Sequence, residues 1–191
     1  MYEVEMFPSR FYIMTDAFKH KVLMGVLNTI KKDTENLITV SSPIGGPTYK
    51  TNFNQKAVHA DLFIPIIEHL NKLLIQDNIF LELIDPFWYA EYGECDFHEP
   101  HIHSGECVTQ TPNSFLYSGI ICLSNFGETS FINPNSSSIS LLYSDGITTI
   151  PSEYNKVILF PSNIYHYVTP HGLKDKTRAV FSFNCILKIG T

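Results

Sequence analysis

Two stretches say most about how the chain folds: HEPHIH at residues 98–103 and FPSNIYH at residues 160–166. In an extended strand, side chains at positions i and i+2 leave the same face. His101 and His103 can therefore point to one place from a single strand. A third imidazole, His166, follows the apolar run 157–160, which is typical of a strand. Two ligands from one strand and one from a distant strand suit a metal that keeps open positions for small molecules.

Short strands are predicted on both sides of these stretches. From residue 79 onward, apolar or aromatic segments alternate with turns that contain Gly, Pro, Asn or Asp. The predicted strands are 79–84, 87–92, 100–103, 115–124, 129–133, 139–143, 156–161, 164–168 and 178–188. Many short strands with turns at this spacing indicate a sandwich or a barrel.

The part of the chain before residue 79 has a different pattern. Its predicted elements are a strand over 2–14 with a break at Pro8, a helix over about 17–32 and a helix over about 60–76. A polar connection with Gly and Pro joins the two helices. Helices placed before a set of strands are expected to pack on one sheet face. We therefore expect a single domain over 1–191, in which 1–78 support a β core over 79–191.

Charge and hydropathy exclude several kinds of partner. The formal charge is −6 without a basic block, so no nucleic acid is expected as a partner. The acidic N-terminal residues lead into no signal-peptide pattern, and no apolar run is long enough to span a bilayer. We therefore expect a cytoplasmic protein without a membrane partner. The oligomeric state is left open, and a homodimer is compatible with the sequence.

The cysteines do not form a recognisable metal or redox motif. Cys122 and Cys185 lie in apolar runs and are expected to be buried thiols. Cys95 and Cys107 flank the histidines, so a soft metal site that uses them is a minor alternative. Their spacing does not match that of zinc fingers.

Further motifs accompany the histidines in a particular order. They are YGE at 92–94, YSGIICL at 117–123, GETSFINP at 127–134, VTP at 168–170 and RAVFSFN at 178–184. This order resembles the iron(II)/2-oxoglutarate-dependent dioxygenases, in particular a group of oxygenases common in marine bacteria and their phages. MFP at 6–8 and the region of Gly45-Gly46 are also similar, so the resemblance covers nearly the whole chain.

The resemblance implies a mainly β fold with flanking helices. This fold is a double-stranded β-helix, a cupin-like jelly roll with the N-terminal helices packed on the major sheet. It also implies an oxidoreductase that uses Fe(II) and 2-oxoglutarate as cofactors and O2 as a further small-molecule partner, and that hydroxylates an unidentified substrate.

The resemblance also assigns roles to individual residues. The implied metal ligands are His101, His103 and His166, and the implied cofactor-binding residues are Arg178, Ser182 and Tyr92. Arg178 would grip the far carboxylate of 2-oxoglutarate, because its planar fork pairs with a carboxylate through two parallel hydrogen bonds. Ser182 lies four residues further, so on a strand it would face the same way. Tyr92 is a candidate pocket residue, and His98 is expected in a second layer or at the surface.

The sequence departs from the family at one ligand. The family usually has Asp or Glu where this chain has His103. Three interpretations remain open. All three ligands are imidazoles, or one of Glu99, Asp96 and Glu106 supplies a carboxylate, or the metal site is altered or inactive.

Two other functions compete with the oxygenase hypothesis. One is a cupin-like metal-dependent dioxygenase or isomerase that does not use 2-oxoglutarate, since His101, His103 and Glu106 resemble the cupin ligand pattern. Such a protein has no use for an arginine at position 178. The other is a non-catalytic jelly-roll binding module, which failure to bind 2-oxoglutarate would favour.

Overall fold

The computed structural model describes residues 2–6, 9–31, 38–41, 52–58, 60–103, 114–135 and 146–190. The strands of this part are β1 (Tyr2–Met6), β2 (Ser9–Met14), β3 (Ile38–Ser41), β4 (Asn52–Val58), β5 (Ile79–Tyr92), β6 (His98–His101), β7 (Ser114–Cys122), β8 (Glu128–Ile132), β9 (Ile147–Pro151), β10 (Val157–Pro161), β11 (His166–Val168) and β12 (Arg178–Ile189). The helices are α1 (His20–Lys31) and α2 (Ala60–Leu74), and a 3-10 turn over Ile75–Asp77 follows α2.

The strands form two sheets. The major sheet has eight strands in the order β1-β2-β10-β7-β12-β5-β4-β3, and the minor sheet has four in the order β6-β11-β8-β9. Neighbouring strands are antiparallel throughout both sheets as described. The expected jelly roll with helices on the major sheet is therefore confirmed. None of the described helices combines the length and the apolar character that crossing a bilayer requires.

Two apolar cores lie on opposite faces of the major sheet. Successive residues of β12 contribute to different cores, since neighbouring residues of a strand point to opposite faces of the sheet. Phe181 and Phe183 pack in the core that contains the helices, together with Leu23 of α1 and Phe63 of α2. Val180 packs in the second core, which lies between the two sheets. The functional residues of β12 share the face of Val180, so the strand directs them between the sheets.

Helix α1 begins later than the predicted residue 17. The backbone N–H groups of Ala17 and Phe18 donate to Asn155, to its backbone oxygen at 3.2 Å and its Oδ1 at 2.9 Å respectively. Asp16 has a positive φ of 49°. These residues are therefore held by the turn before β10 instead of by a helical hydrogen-bond pattern.

Several predicted strand bounds are also wrong. The strands expected over 79–84 and 87–92 are one strand, β5, whose register shifts where Pro86 removes an N–H donor. The connection expected between the helices contains β3 and β4, which pair with each other and extend the major sheet beyond β5. Strand β9 was not predicted. The strand expected over 139–143 lies outside the described residues.

Gly119 of β7 provides a test of the packing in the helix-facing core. A Cβ atom at this position would lie 2.1 Å from Cζ of Phe183, whose ring is fully buried. The Gly119→Ala variant should therefore lose about 1–3 kcal/mol of stability through overpacking. Thermal unfolding should show a Tm lower by about 5 °C.

Gly25→Ala is the matched control, because Gly25 is exposed on α1 and a Cβ there would meet no atom within 4 Å. This variant should gain roughly 0.5–1 kcal/mol from helix propensity. A Gly119→Ala protein as stable as the wild type would contradict this description of the core.

Candidate functional site

The structure brings together the three histidines that the sequence singled out. His101 ends β6 and stands directly opposite His166 of β11 in the antiparallel register. His103 lies two residues beyond the end of β6. Each of the three offers a ring nitrogen, and these nitrogens all lie within 4.8 Å of one another. The expectation that His101 and His103 share one strand is wrong, because β6 ends at His101. The backbone of His103 is hydrogen-bonded to Ser162 instead.

Each of the three rings is oriented by a hydrogen bond from Nδ1, the ring nitrogen that points away from the cluster. The acceptor is an oxygen atom in every case. These bonds run from His101 Nδ1 to the Glu99 backbone oxygen at 2.9 Å, from His166 Nδ1 to the Ile164 backbone oxygen at 3.1 Å, and from His103 Nδ1 to Asn184 Oδ1 at 2.8 Å. Because an oxygen of this kind only accepts, each Nδ1 carries the hydrogen. The Nε2 lone pairs are then left to face inward, as in protein sites where imidazole binds a metal.

The separation of the inner nitrogens also fits a shared ion. Nε2 of His101 lies 3.2 Å from Nε2 of His103. Two metal–nitrogen bonds of about 2.1 Å at a right angle would place the two nitrogens about 3 Å apart. The histidines therefore suit a metal ion in three respects: the donor atoms are imidazole nitrogens, their lone pairs face inward, and the distance between Nε2 of His101 and Nε2 of His103 is appropriate.

Burial keeps these imidazoles in the uncharged form that binds metals. Desolvation lowers the pKa of His103 to about 4 and the pKa of His166 well below its ordinary value. The pKa of His101 is lowered for the same reason. At His103 and His166 neighbouring histidines lower the pKa further, because two positive charges at this spacing would repel each other. The cluster is thus neutral at physiological pH.

No carboxylate joins the cluster among the described residues. No Asp or Glu is found among the described side chains that line the surrounding cavity. Asp96 Oδ2 accepts a hydrogen bond from the Gly93 backbone N–H at 2.7 Å, and Glu99 supplies its backbone oxygen to His101. Glu106, the third alternative, lies outside the described residues. The described part of the structure therefore presents three imidazoles at this point.

The histidines line a cavity of about 450 Å³ between the two sheets. Its described walls include the apolar side chains Ile84, Trp88, Ala90, Ile102, Ile120, Phe160, Val168 and Val180. His98 also lines the cavity: its ring stacks on His101 with centroids 3.8 Å apart, and its Nδ1 lies 3.4 Å from the Tyr92 hydroxyl. Burial lowers the pKa of His98 to about 3. Apolar walls around a few polar groups are typical of a small-molecule site.

Arg178 provides the one described cationic side chain of the cavity lining. It is 1% exposed, and Nε and Nη2 donate to Ser152 Oγ at 3.2 Å and Thr129 Oγ1 at 2.9 Å. Its Nη1 is buried and has no hydrogen-bond partner in the described part of the chain. Burying a guanidinium N–H group without an acceptor costs folding free energy unless an anion supplies the missing hydrogen bond. Arg178 therefore fits a ligand carboxylate.

The remaining predicted residues, Tyr92 and Ser182, line the same cavity as Arg178. The Arg178 Cζ atom lies 5.2 Å from the centre of the Tyr92 ring, and burial raises the pKa of Tyr92 to about 12. Ser182 lines the cavity from the same strand and the same face as Arg178. Gly127 allows the close approach of the arginine, since a Cβ there would lie 2.5 Å from Arg178 Cδ. The three described cysteines are not in the cavity lining. Cys122 and Cys185 are buried, as expected, and Cys95 is exposed, while Cys107 lies outside the described residues.

Sequence reasoning missed the residues that hold these groups in place. Asn184 contacts His103, while Thr129 and Ser152 hold Arg178. Alternation along β12 could have indicated Asn184, because it lies on the face of Arg178 and Ser182. Thr129 lies in the GETSFINP motif, to which no role was assigned, and no local pattern marks Ser152, which follows β9.

Comparisons with known proteins give a consistent result. No protein-family model and no curated protein matches the chain. Solved structures do match, including a prolyl-4-hydroxylase from Pseudomonas putida, with a TM-score of 0.59 and 12% identity over 94% of this chain and 93% of that chain. The non-heme alpha-ketoglutarate-dependent carbocyclase SnoK of nogalamycin biosynthesis matches with a TM-score of 0.65 and 8% identity, over 94% of this chain and 79% of that chain.

A viral collagen prolyl hydroxylase from Paramecium bursaria Chlorella virus-1, solved as a 2-oxoglutarate complex, matches with a TM-score of 0.54 and 14% identity. That match covers 95% of this chain and 96% of the viral one. At such identities the likeness concerns the fold. The chain has the double-stranded β-helix fold of the iron(II)- and 2-oxoglutarate-dependent oxygenases.

Proposed function

We propose that the protein is an iron(II)- and 2-oxoglutarate-dependent oxygenase that oxidises a substrate still to be identified. His101, His103 and His166 would hold the metal, and Arg178 would hold the far carboxylate of 2-oxoglutarate. One observation carries the proposal: the neutral imidazole cluster and the incompletely bonded guanidinium of Arg178 face the same cavity. A metal site and an anion site in one apolar cavity suit a cosubstrate that has both a chelating end and a distal carboxylate.

Arg178 also favours this function over the other two hypotheses. Burial lowers the pKa of the guanidinium, because desolvation disfavours its charged form, so keeping this group inside the protein carries a cost in stability. A cupin without a keto-acid cosubstrate has no use for this group, and a plain jelly-roll module needs neither the arginine nor the histidines. A carboxylate bound at Nη1 would complete the hydrogen bonds of Arg178 and offset its charge.

The residues of the chain would bind, orient and shield the reactants. When bound, iron and 2-oxoglutarate supply the oxidising chemistry, in which O2 is consumed and the keto acid becomes succinate and carbon dioxide. The backbone oxygens of Glu99 and Ile164 hold His101 and His166 in the tautomer that binds a metal. Buried apolar side chains, such as Phe160 and Val168, form part of the wall and would limit the water in contact with the reactants.

Tyr92 and Ser182 would complete the site for the cosubstrate. Tyr92 remains protonated at physiological pH because its pKa is about 12, and its ring limits where the Arg178 guanidinium can move. Ser182 offers a hydroxyl on the face of β12 that Arg178 uses. Ser182 lies about 13 Å along the strand from Arg178, so its hydroxyl would contact a different part of a bound molecule.

Anaerobic addition of iron(II) and 2-oxoglutarate tests the proposal. We expect a weak visible charge-transfer band from the chelated keto acid, and succinate after oxygen is admitted. Glutarate, which lacks the keto group, is the matched control ligand and should give no band. Metal binding without a band or succinate would support the cupin hypothesis, and failure to bind any metal would support the binding module.

A further inference from the structure

His103 is held differently from the other two histidines of the cluster. His101 and His166 lie on paired strands of the minor sheet, where backbone hydrogen bonds fix them. His103 follows the end of β6, so no strand partner holds it. Its backbone N–H donates instead to the backbone oxygen of Ser162 at 2.9 Å, and its ring meets the edge of Trp88 with centroids 5.6 Å apart. The orientation of the His103 ring must therefore come from side chains.

Ser162 is also connected to the His103 ring through a series of side-chain hydrogen bonds. Ser162 Oγ lies 2.8 Å from Ser118 Oγ, and Ser118 Oγ donates to Asn184 Oδ1 at 2.9 Å. Asn184 Oδ1 is 2.8 Å from His103 Nδ1. The turn before β11 thus binds the backbone of His103 directly and its imidazole through two further side chains, one on β7 and one on β12.

The direction of each hydrogen bond follows from the number of hydrogens available. Ser118 gives its single hydroxyl hydrogen to Asn184, so Ser162 donates to Ser118. Both serines are 1% exposed, so bulk water does not compete for these groups. Asn184 Oδ1 then accepts from Ser118 and from His103, which places the imidazole hydrogen on Nδ1. The Nε2 lone pair of His103 faces Nε2 of His101.

We propose that Asn184, supported by Ser118 and Ser162, is a positioning residue that makes His103 a metal ligand. The inference rests on the metal part of the proposed function and needs no cosubstrate. A carboxylate can bind a metal through either oxygen, whereas an imidazole with its hydrogen on Nε2 cannot bind through that nitrogen. An amide oxygen that accepts two hydrogen bonds selects the correct tautomer and makes the ring a stronger ligand. The chain thereby replaces a carboxylate ligand with a histidine and an asparagine.

Four variants and cobalt(II) alone, as the metal probe, test this role. Asn184→Leu keeps the approximate volume of the side chain but removes the acceptor, and Asn184→Asp keeps an acceptor. Ser118→Ala breaks the series of hydrogen bonds one step further away. Ser130→Ala is the matched control, because Ser130 is also a buried strand serine bonded to a hydroxyl, that of Thr149 at 2.8 Å, and it takes no part in the series.

The expected order of cobalt(II) affinities follows from the hydrogen bonds. Titration of the visible absorption of bound cobalt(II) should show a loss of about 10–100-fold for Asn184→Leu, the usual effect of removing an outer partner of a metal ligand. Asn184→Asp should bind like the wild type, Ser118→Ala should fall between them, and Ser130→Ala should be unchanged. Nitrogen-15 NMR of the metal-free wild type should show the hydrogen of His103 on Nδ1, with a mixture of tautomers in Asn184→Leu.

Two results would overturn the inference. One is cobalt(II) affinity in a folded Asn184→Leu protein equal to that of the wild type, and the other is a wild-type His103 with its hydrogen on Nε2. If Asn184→Leu fails to fold, Ser118→Ala provides the comparison, and a Ser118→Ala protein that binds cobalt(II) like the wild type and keeps the His103 hydrogen fully on Nδ1 would contradict the role of the series of hydrogen bonds. A wild type that binds no cobalt(II) would instead overturn the proposed metal function, so the two failures are distinguishable.

Discussion

Replacing His166 with alanine is expected to abolish metal binding while leaving the fold intact. His166 stands directly opposite His101 in the minor sheet, so its loss removes one of three ligands and leaves a gap beside Phe160. Removal of an outer hydrogen-bond partner alone costs about 10–100-fold in metal affinity. Loss of the ligand itself should therefore cost at least about 100-fold, and succinate formation from 2-oxoglutarate should stop.

Thermal unfolding with and without cobalt(II) measures this effect without any turnover. At a metal concentration of about 1,000 times Kd, binding should add about 4 kcal/mol to the free energy of unfolding. For a chain of this size, that corresponds to a rise of about 10 °C in Tm. The wild type should show the full rise. In His166→Ala, with an affinity at least about 100-fold lower, the same metal concentration should add at most about 1.4 kcal/mol, or a rise of about 3–4 °C.

His69→Ala is the matched control for the loss of a partly buried histidine. His69 Nε2 binds the Ala17 backbone oxygen at 2.9 Å and its ring lies beside Phe18, on the helix side of the major sheet. This variant should lower the Tm of the metal-free protein and keep the full rise with cobalt(II). If His166→Ala also kept the rise, His166 would not be a ligand.

The histidine cluster shows what local sequence can and cannot predict about the site. The three residues could be identified from spacing and from the order of motifs, and the structure brings them together. The way they meet was not predictable, since β6 ends at His101 and the pairing of His101 with His166 depends on the register between β6 and β11. Register is a property of the assembled sheet, which a single strand does not encode.

The helices and strands likewise differ in whether local sequence or long-range contacts determine them. The strong apolar pattern of β10 and β12 predicts buried strands, and α2 follows from its apolar periodicity. Strand β4 has the polar sequence NFNQKAV, whose intrinsic strand preference is weak. It becomes a strand because β5 offers a long edge for pairing. Tertiary context therefore decides this element, and its sequence alone predicts a connection.

Replacing Arg178 with methionine is expected to prevent tight binding of 2-oxoglutarate without affecting the metal. Truncation of one partner of a buried ionic pair typically costs about 3–5 kcal/mol, which corresponds to a loss of roughly 10²–10⁴ in affinity. Lysine at this position keeps the charge but lacks the planar fork, so Arg178→Lys should lie between the two. Anaerobic titration of the charge-transfer band with 2-oxoglutarate gives these dissociation constants.

Lys156→Met is the control for the removal of a buried cation. Lys156 is 4% exposed and its Nζ donates to the Pro151 backbone oxygen at 3.0 Å. It is not among the described residues that line the cavity. Its replacement should lower stability and leave the dissociation constant of 2-oxoglutarate unchanged. The cobalt(II)-induced rise in Tm should survive in all of these variants, since none of them removes an imidazole.

A second keto acid separates direct recognition by Arg178 from an indirect structural effect. Pyruvate has the same chelating end as 2-oxoglutarate but lacks the far carboxylate, so in the wild type it should bind more weakly by a factor close to that lost in Arg178→Met. Because the interaction is already absent with pyruvate, Arg178→Met should barely weaken pyruvate binding further, as expected for a coupled pair in a thermodynamic cycle. If the variant weakened both keto acids equally, Arg178 would act only by shaping the cavity, and its proposed role as the carboxylate anchor would be wrong.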